Sequence, residues 1–168
     1  MPERRAKSQW PNLIHGEYHP TSEFDEYYNC IAWAMRDTRR WWEPSGRPLD
    51  YWPNNAPLNY SLDAFLQAFA TRHYEPCDDG GLDPAYEKLA IFWRAGDVEE
   101  DGFKHVARQL ADGQWTSKLG KAKDISHQTL DALVGDYYGE VIQFMRRPRA
   151  QTQRRPRRTR ARHRPANH

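Results

Sequence analysis

The chain has 168 residues, enough for one domain of ordinary size. A mean hydropathy of −1.03 and a hydrophobic content of 38% exclude a membrane-spanning protein, and seven Trp and nine Tyr argue against global disorder. The net charge of +2 hides an asymmetry, because residues 146–168 hold ten Arg and no acidic residue while residues 1–145 carry a net charge of −8.

This asymmetry predicts three parts. Residues 1–20 form a polar lead-in, residues 21–145 a single globular domain, and residues 146–168 a disordered tail rich in Arg and Pro. The tail is suited to non-specific binding of nucleic acid or an anionic membrane surface, and a solvated tail without a dedicated partner is equally compatible with its composition.

The first predicted element is a helix from about Phe24 to Arg40, since apolar residues recur there at steps of three and four. The pair Ser22 and Asp25 resembles the capping box that begins such a helix. A second helix is predicted from Ser61, as N-cap, to about Arg72. The stretch 41–57 between them, rich in Trp and Pro, cannot form a long regular element.

The second half of the domain predicts a sheet. After a turn at 77–81 and a short helix at 84–88, residues 89–93 form an apolar run typical of a buried strand. Asp112-Gly113 predicts a hairpin between 104–110 and 114–118. Beyond a loop containing Asp124, we predict a helix over 128–133 and a last strand over 138–145. The fold class predicted is α+β, with N-terminal helices on a small, mainly antiparallel sheet.

Cysteine usage and the N-terminus bear on location. The N-terminus lacks the apolar stretch of a secretory signal, and Cys30 and Cys77 are too few for a disulfide framework. A cytoplasmic protein is expected, with export by a dedicated secretion machine left open. No spacing of Cys and His typical of zinc occurs, nor a phosphate loop or dinucleotide fingerprint, so we predict no metal and no cofactor.

Cys30 and His105 are the strongest candidates for chemistry. Pairing Leu110 with Gln114 puts His105 and Ser117 on the same face of the hairpin. A histidine on a strand that faces a cysteine on a packed helix can activate the thiol. A small buried Cys and a structural His are the alternative interpretation.

The remaining candidates follow from this pair. The group that orients the imidazole is one of Ser117, Asp124 and His127, and the sequence does not choose among them. The backbone N–H of Cys30 and the side chain of Asn29 are candidates for stabilising an oxyanion. Candidate substrate-binding residues, which could equally form core, are Trp33, Trp41, Trp42, Trp52, Trp115 and Lys118.

Several segments together resemble a bacterial domain family of unknown function: 28–34 (YNCIAWA), 105–110 (HVARQL), 115–120 (WTSKLG) and 124–127 (DISH). The order of a helix bearing Cys and a strand bearing His is also similar to papain-like cysteine peptidases of the NlpC type. That second resemblance implies a papain-like arrangement, with Cys30 as nucleophile and His105 as general base.

Two functions are therefore expected from the sequence. One is a thiol enzyme, a hydrolase, transferase or deamidase, that acts on an acyl or amide bond of a protein or peptide substrate. The other is a non-catalytic binding or accessory module in which the Cys and His belong to a buried polar cluster.

Overall fold

The structure is a computed structural model that describes residues 9–14, 17–96 and 102–150. Within these ranges the chain forms nine strands, two α-helices and one 3-10 helix. In chain order they are β1 (Tyr18–Pro20), α1 (Cys30–Ala34), β2 (Trp41–Trp42), β3 (Asp50–Tyr51), α2 (Leu62–Ala70), β4 (Glu75–Cys77), β5 (Tyr86–Arg94), β6 (Gly102–Gln109), β7 (Trp115–Lys118), β8 (Asp124–His127), the 3-10 helix (Asp131–Leu133) and β9 (Glu140–Pro148).

Seven of the described strands form one antiparallel sheet in the order β1-β8-β7-β6-β5-β9-β4, while β2 and β3 form a small parallel pair. Both faces of the sheet are covered. One face, which we call the helix face, packs its Leu89, Ile91 and Val106 against α1, α2 and the Trp-rich stretch between them. The opposite face packs its Phe92 and Ala107 against the N-terminal segment and residues 132–138.

The predicted α+β fold with N-terminal helices on a papain-like sheet is wrong, because the structure is mainly antiparallel sheet with two short helices. The helix predicted from Phe24 to Arg40 shrinks to five residues. Its predicted capping residues have other partners: Ser22 Oγ accepts from the backbone N–H of Asp124, and Asp25 caps Tyr27.

A Schellman motif ends α1 early. The N–H of Asp37 bonds the carbonyl of Ala32, and the N–H of Arg36 bonds that of Trp33. Arg36 is in the left-handed region with φ of 59°. Glycine is the usual residue at this position, and because the chain has Arg36 instead, the sequence carries no signal that the helix ends here.

Other elements match their sequence signals more closely. Ser61 caps α2 through the N–H of Ala64, as predicted, and the Asp112-Gly113 hairpin has the predicted pairing of Leu110 with Gln114. The helix predicted over 84–88 is wrong, because β5 already begins at Tyr86. The loop expected around Asp124 is strand β8, and only part of the 128–133 helix exists, as the 3-10 turn.

The ends of the predicted domain also differ in detail. Trp10 and Leu13 of the predicted lead-in are buried in the core of the opposite face. Strand β9 continues through Arg146 and Arg147 to Pro148, three residues into the predicted tail. Residues 151–168 lie outside the described residues.

Candidate active site at Cys30 and His105

Cys30 is the first residue of α1 and is 9% exposed. Burial raises the pKa of its thiol to about 11, although backbone hydrogen bonds, the first from Val106, oppose the rise. The thiol is therefore protonated at neutral pH. Asn29 precedes it as N-cap: its Oδ1 accepts from Ala32, and its Nδ2 donates to the carbonyl of Trp42 at 2.7 Å.

The position of Cys30 follows from the way β6 and β7 pair. Their ladder contains only Arg108 with Thr116 and Gln109 with Trp115. Val106 lies beyond these pairs, so its backbone is available to the Cys30 sulfur. The helix α1 packs on both strands, and Cys30 lies against the backbone of Val106, the residue that follows His105 on β6.

His105 belongs to a chain of hydrogen bonds on the opposite face of the sheet. Its Nε2 lies 2.8 Å from Oγ of Ser117, which lies 2.9 Å from Nε2 of His127. Nδ1 of His127 in turn lies 2.8 Å from the carbonyl oxygen of Thr129. Both imidazoles and the hydroxyl are buried.

The chemistry of these partners fixes the protons. The Thr129 carbonyl only accepts, so Nδ1 of His127 carries a proton. Burial lowers the pKa of His127, so its ring is neutral and its Nε2 accepts the Ser117 proton. The Ser117 oxygen then accepts from Nε2–H of His105. Nδ1 of His105 is therefore an unprotonated nitrogen.

This Nδ1 has no hydrogen-bond partner among the described residues, although it is buried. Burial, and then the neighbouring His127, hold the pKa of His105 well below 6.5, so its ring is also neutral. Tyr138 stacks on the ring, with 4.4 Å between centroids and 5° between planes, and Phe92 meets it edge-on. The site thus holds a positioned basic nitrogen on the sheet face opposite to α1, and Tyr138 connects it to the protonated thiol, because it stacks on the His105 ring and lines a cavity with Cys30.

A cavity of about 250 Å³ opens at this place. Cys30 and Tyr138 both line it, and the pKa of Tyr138 is raised by burial and by the proximity of Cys30. The rest of the lining mixes aromatic and polar side chains, and includes Trp41, Glu43, Tyr60, Phe103 and Lys104. A small acyl or amide group can enter such a space.

Asp124 lies away from this cluster, on the helix face. Its Oδ2 accepts from the hydroxyl of Tyr28 at 2.7 Å, and burial raises its pKa. Lys118 is beside it and donates to the carbonyls of Asp25 and Ala122. Of the three groups considered for orienting His105, the structure brings Ser117 and His127 to it.

Five of the six candidate substrate-binding residues are placed away from the cavity lining, and Trp41 is the exception. Trp42 and Trp52 belong to the core of the helix face, where Trp42 Nε1 donates to Asp37 at 3.0 Å. Trp33 donates to Thr116 at 2.9 Å, and Trp115 is buried on the opposite face.

Tyr138 and Thr129 were not identified from the sequence. The signal for Tyr138 is its place between Gly135 and Gly139, which bond each other across a tight turn and hold the tyrosine over His105. Thr129 acts through its backbone, so its side chain carries no signal. Among the described residues, no three His, Cys, Asp or Glu side chains are grouped to hold a metal ion.

Comparison with known proteins gives a family without an assigned function. A model described as a domain of unknown function, DUF7689, matches residues 19–146, which run from β1 into β9. No curated protein and no solved structure matches the chain. No described helix is long and apolar enough to cross a membrane. Because the family model covers most of the sequence, the chain belongs to the DUF7689 family of domains of unknown function.

Proposed function

We propose that this domain is a thiol enzyme that acts on an acyl or amide bond, with Cys30 as nucleophile and His105 as general base. One observation carries the proposal: the hydrogen bonds through Ser117 and His127 leave Nδ1 of His105 unprotonated, buried and unpartnered, and Tyr138, which stacks on this ring, lines the same cavity as Cys30. A buried polar nitrogen without a partner is destabilising, and such groups are often retained for catalysis.

The first step forms the acyl-enzyme. A substrate carbonyl enters the cavity, and its carbon bonds to Sγ of Cys30 while Nδ1 of His105 takes the thiol proton. The oxyanion so formed faces the start of α1, where the backbone N–H of Cys30 lies. When the tetrahedral intermediate collapses, Nδ1 returns its proton to the leaving amine or alcohol, and the thioester remains.

The second step releases the product. Water, or an acceptor amine in a transferase, attacks the thioester carbon as His105 takes its proton and returns it to the Cys30 sulfur. Ammonia as the first leaving group would make the same steps a deamidation. The choice among these three reactions depends on what enters the cavity with the acyl group.

The protein stabilises the transient imidazolium without a carboxylate. When Nδ1 takes a proton, Nε2–H of His105 can pass to Ser117 as the Ser117 proton passes to His127. The positive charge then lies on His127, whose Nδ1–H is held by the Thr129 carbonyl. Because the resting pair is neutral, proton transfer accompanies attack on the substrate and does not precede it.

The second candidate is a non-catalytic binding module. The low exposure of Cys30 and its raised pKa favour it, since both are typical of a core cysteine. The cluster of His105, Ser117 and His127 would then contribute to stability alone.

The experiment that separates the two candidates uses p-nitrophenyl acetate and intact-mass spectrometry on the full chain. We expect acetylation at Cys30 in the wild type and in the matched control Cys77→Ala, and none at that site in Cys30→Ala. The variant His105→Gln should acetylate Cys30 at least about 100-fold more slowly. Acetyl transfer confined to Cys77, or a rate at Cys30 that His105→Gln leaves unchanged in a folded protein, would support the binding module.

A further inference from the structure

A cluster of arginines surrounds Glu87 at the start of β5, away from the Cys30 cavity. Nη2 of Arg36 lies 2.5 Å from Oε2 of Glu87, and Nη2 of Arg147 lies 2.9 Å from Oε1. Nη1 of Arg149 lies 3.8 Å from Oε2. Arg108 is close enough for its charge to act on the same carboxylate. Four guanidinium groups therefore share one acidic side chain.

The carboxylate of Glu87 already accepts hydrogen bonds from several partners. The hydroxyl of Tyr74 donates to Oε1 of Glu87 at 2.6 Å, in addition to the arginines. Burial would raise the pKa of Glu87, but hydrogen bonds from Arg36 and Tyr74 hold it below its usual value. The glutamate is ionised at neutral pH, and the cluster of four arginines and Glu87 keeps a net charge of about +3.

Unused donors remain in the cluster. Nε of Arg108 and Nη2 of Arg149 are buried, and neither has a hydrogen-bond partner among the described residues. Burial and the charge of Arg36 lower the pKa of Arg108, as expected where positive charge is in excess. Buried guanidinium nitrogens normally find an acceptor, so the cluster has donors to spare for an anionic ligand.

The cluster opens into a cavity of about 840 Å³ lined by Arg36, His73, Glu87, Arg147 and Arg149, together with Pro148 and Ala150. Arg36 and His73 are the two non-glycine residues of the described chain with positive φ, at 59° and 69°. Each occupies the position after a helix end where glycine is favoured. Strained residues of this kind concentrate at functional sites, and here both line one cavity.

We propose that this cavity binds the phosphate group of a small phosphorylated molecule. A phosphate carries up to two negative charges and several acceptor oxygens, which match a surplus of guanidinium forks. The lining holds no aromatic side chain besides the His73 imidazole, so it offers no platform for stacking successive nucleic-acid bases. The site is separate from the proposed thiol chemistry and does not depend on it.

Isothermal titration calorimetry of the full chain tests the site with inorganic phosphate and, in a second arm, with ribose 5-phosphate. The variant Arg36→Gln/Arg149→Gln removes two cavity charges, and Arg157→Gln/Arg158→Gln removes two tail charges as the matched control. We expect the cavity variant to weaken both probes by at least about tenfold and the tail variant to leave them within about twofold. Tighter binding of the sugar phosphate than of free phosphate identifies a phosphomonoester as the ligand.

A second variant guards against a folding defect. His73→Gly relieves the positive φ, so it should leave thermal stability unchanged or higher while it weakens phosphate binding. The proposal is overturned if wild type shows no saturable binding at millimolar phosphate, or if the tail variant weakens binding as much as the cavity variant. If the tail variant weakens the binding of both a single-stranded oligonucleotide and inorganic phosphate, the anion affinity belongs to the tail.

Discussion

The phenol ring of Tyr138 lies parallel to the imidazole of His105, with 4.4 Å between the ring centroids. His105 lies on β6 and Tyr138 just before β9, and a turn closed by Gly135 and Gly139 brings the two residues together. The stacked ring covers the face of His105 and also lines the Cys30 cavity. Tyr138 therefore sets both the burial of the base and the shape of the space beside the thiol.

The turn that holds Tyr138 depends on Gly139. Its φ is +75°, and a Cβ added there would lie 2.1 Å from the carbonyl oxygen of Trp93. Gly139→Ala should destabilise the fold by roughly 2–3 kcal/mol through this clash and the unfavourable φ. Urea denaturation measures the effect, with Gly120→Ala as control, because Gly120 also has positive φ, at +58°, but open space around it. Equal losses in the two variants would show that the clash is relieved without cost.

The hydroxyl of Ser117 is the link between the two imidazoles. Ser117→Ala leaves Nε2–H of His105 and Nε2 of His127 buried without a partner, so the free energy of unfolding should fall by roughly 2–3 kcal/mol. Ser126→Ala, on the neighbouring strand and helix face, should change it by less than about 0.5 kcal/mol. Nitrogen-15 chemical shifts of the His105 ring report the tautomer. A protonated Nδ1 in the wild type would contradict the assignment of protons in the cluster.

Stability should fall as pH drops below about 6.5, because His105 and His127 bind a proton in the unfolded chain before they do so in the folded one. Each histidine should contribute a slope of about 1.4 kcal/mol per pH unit until its lowered folded pKa is reached. The lowered pKa of Glu87 acts only at more acidic pH, which leaves about pH 5 to 6.5 as the window for the histidines.

The control for this pH effect is His127→Gln, followed by chemical denaturation at each pH. The raised pKa of Asp124 acts with the opposite sign, but it is common to both proteins and cancels in the comparison. We expect the variant to lose about half of the wild-type slope. A wild-type stability that is flat across the window would mean that the two imidazoles titrate alike in the folded and unfolded chain.

Alkylation by iodoacetamide distinguishes a resting thiol from a resting thiolate. Since the pKa of Cys30 is about 11, its rate in the folded protein should rise about tenfold per pH unit from pH 7 to 10, without a plateau. Cys77 is less buried and should react faster at neutral pH, although burial raises its pKa as well. Fast, pH-independent alkylation of Cys30 near pH 7 would show an ion pair with His105 and overturn the neutral state described above.

Local sequence signals predicted part of the site. Asp112-Gly113 fixed the hairpin register, and the alternation of side chains along a strand then put His105 and Ser117 on one face. The N-cap at Ser61 and the apolar run of β5 could also be predicted, because each signal comes from residues that are adjacent in the chain. Membership in a domain family of unknown function also followed from local motifs.

The parts of the site that depend on pairing between distant strands could not be predicted from the sequence. Strand β8 is polar and four residues long, and it exists because β1 and β7 pair with it from either side. The same pairing decides that His127 faces His105 while Asp124 faces Tyr28, since neighbouring positions on a strand point to opposite faces. The sequence shows that Asp124 and His127 are three residues apart, but it does not give the strand register that decides which of them faces His105.

The helix predicted over 24–40 failed for a related reason. Phe24 and Tyr27 fit a helical period but are 63% and 77% exposed, because the core buries only the residues that follow. Arg36 ends the helix in a conformation favoured by glycine, and its guanidinium pairs with the carboxylate of Glu87, which is distant in sequence. The sequence by itself determined which residues could pair locally. Tertiary structure decided where α1 begins and ends, and so placed Cys30 against the backbone of Val106 and Arg36 beside Glu87.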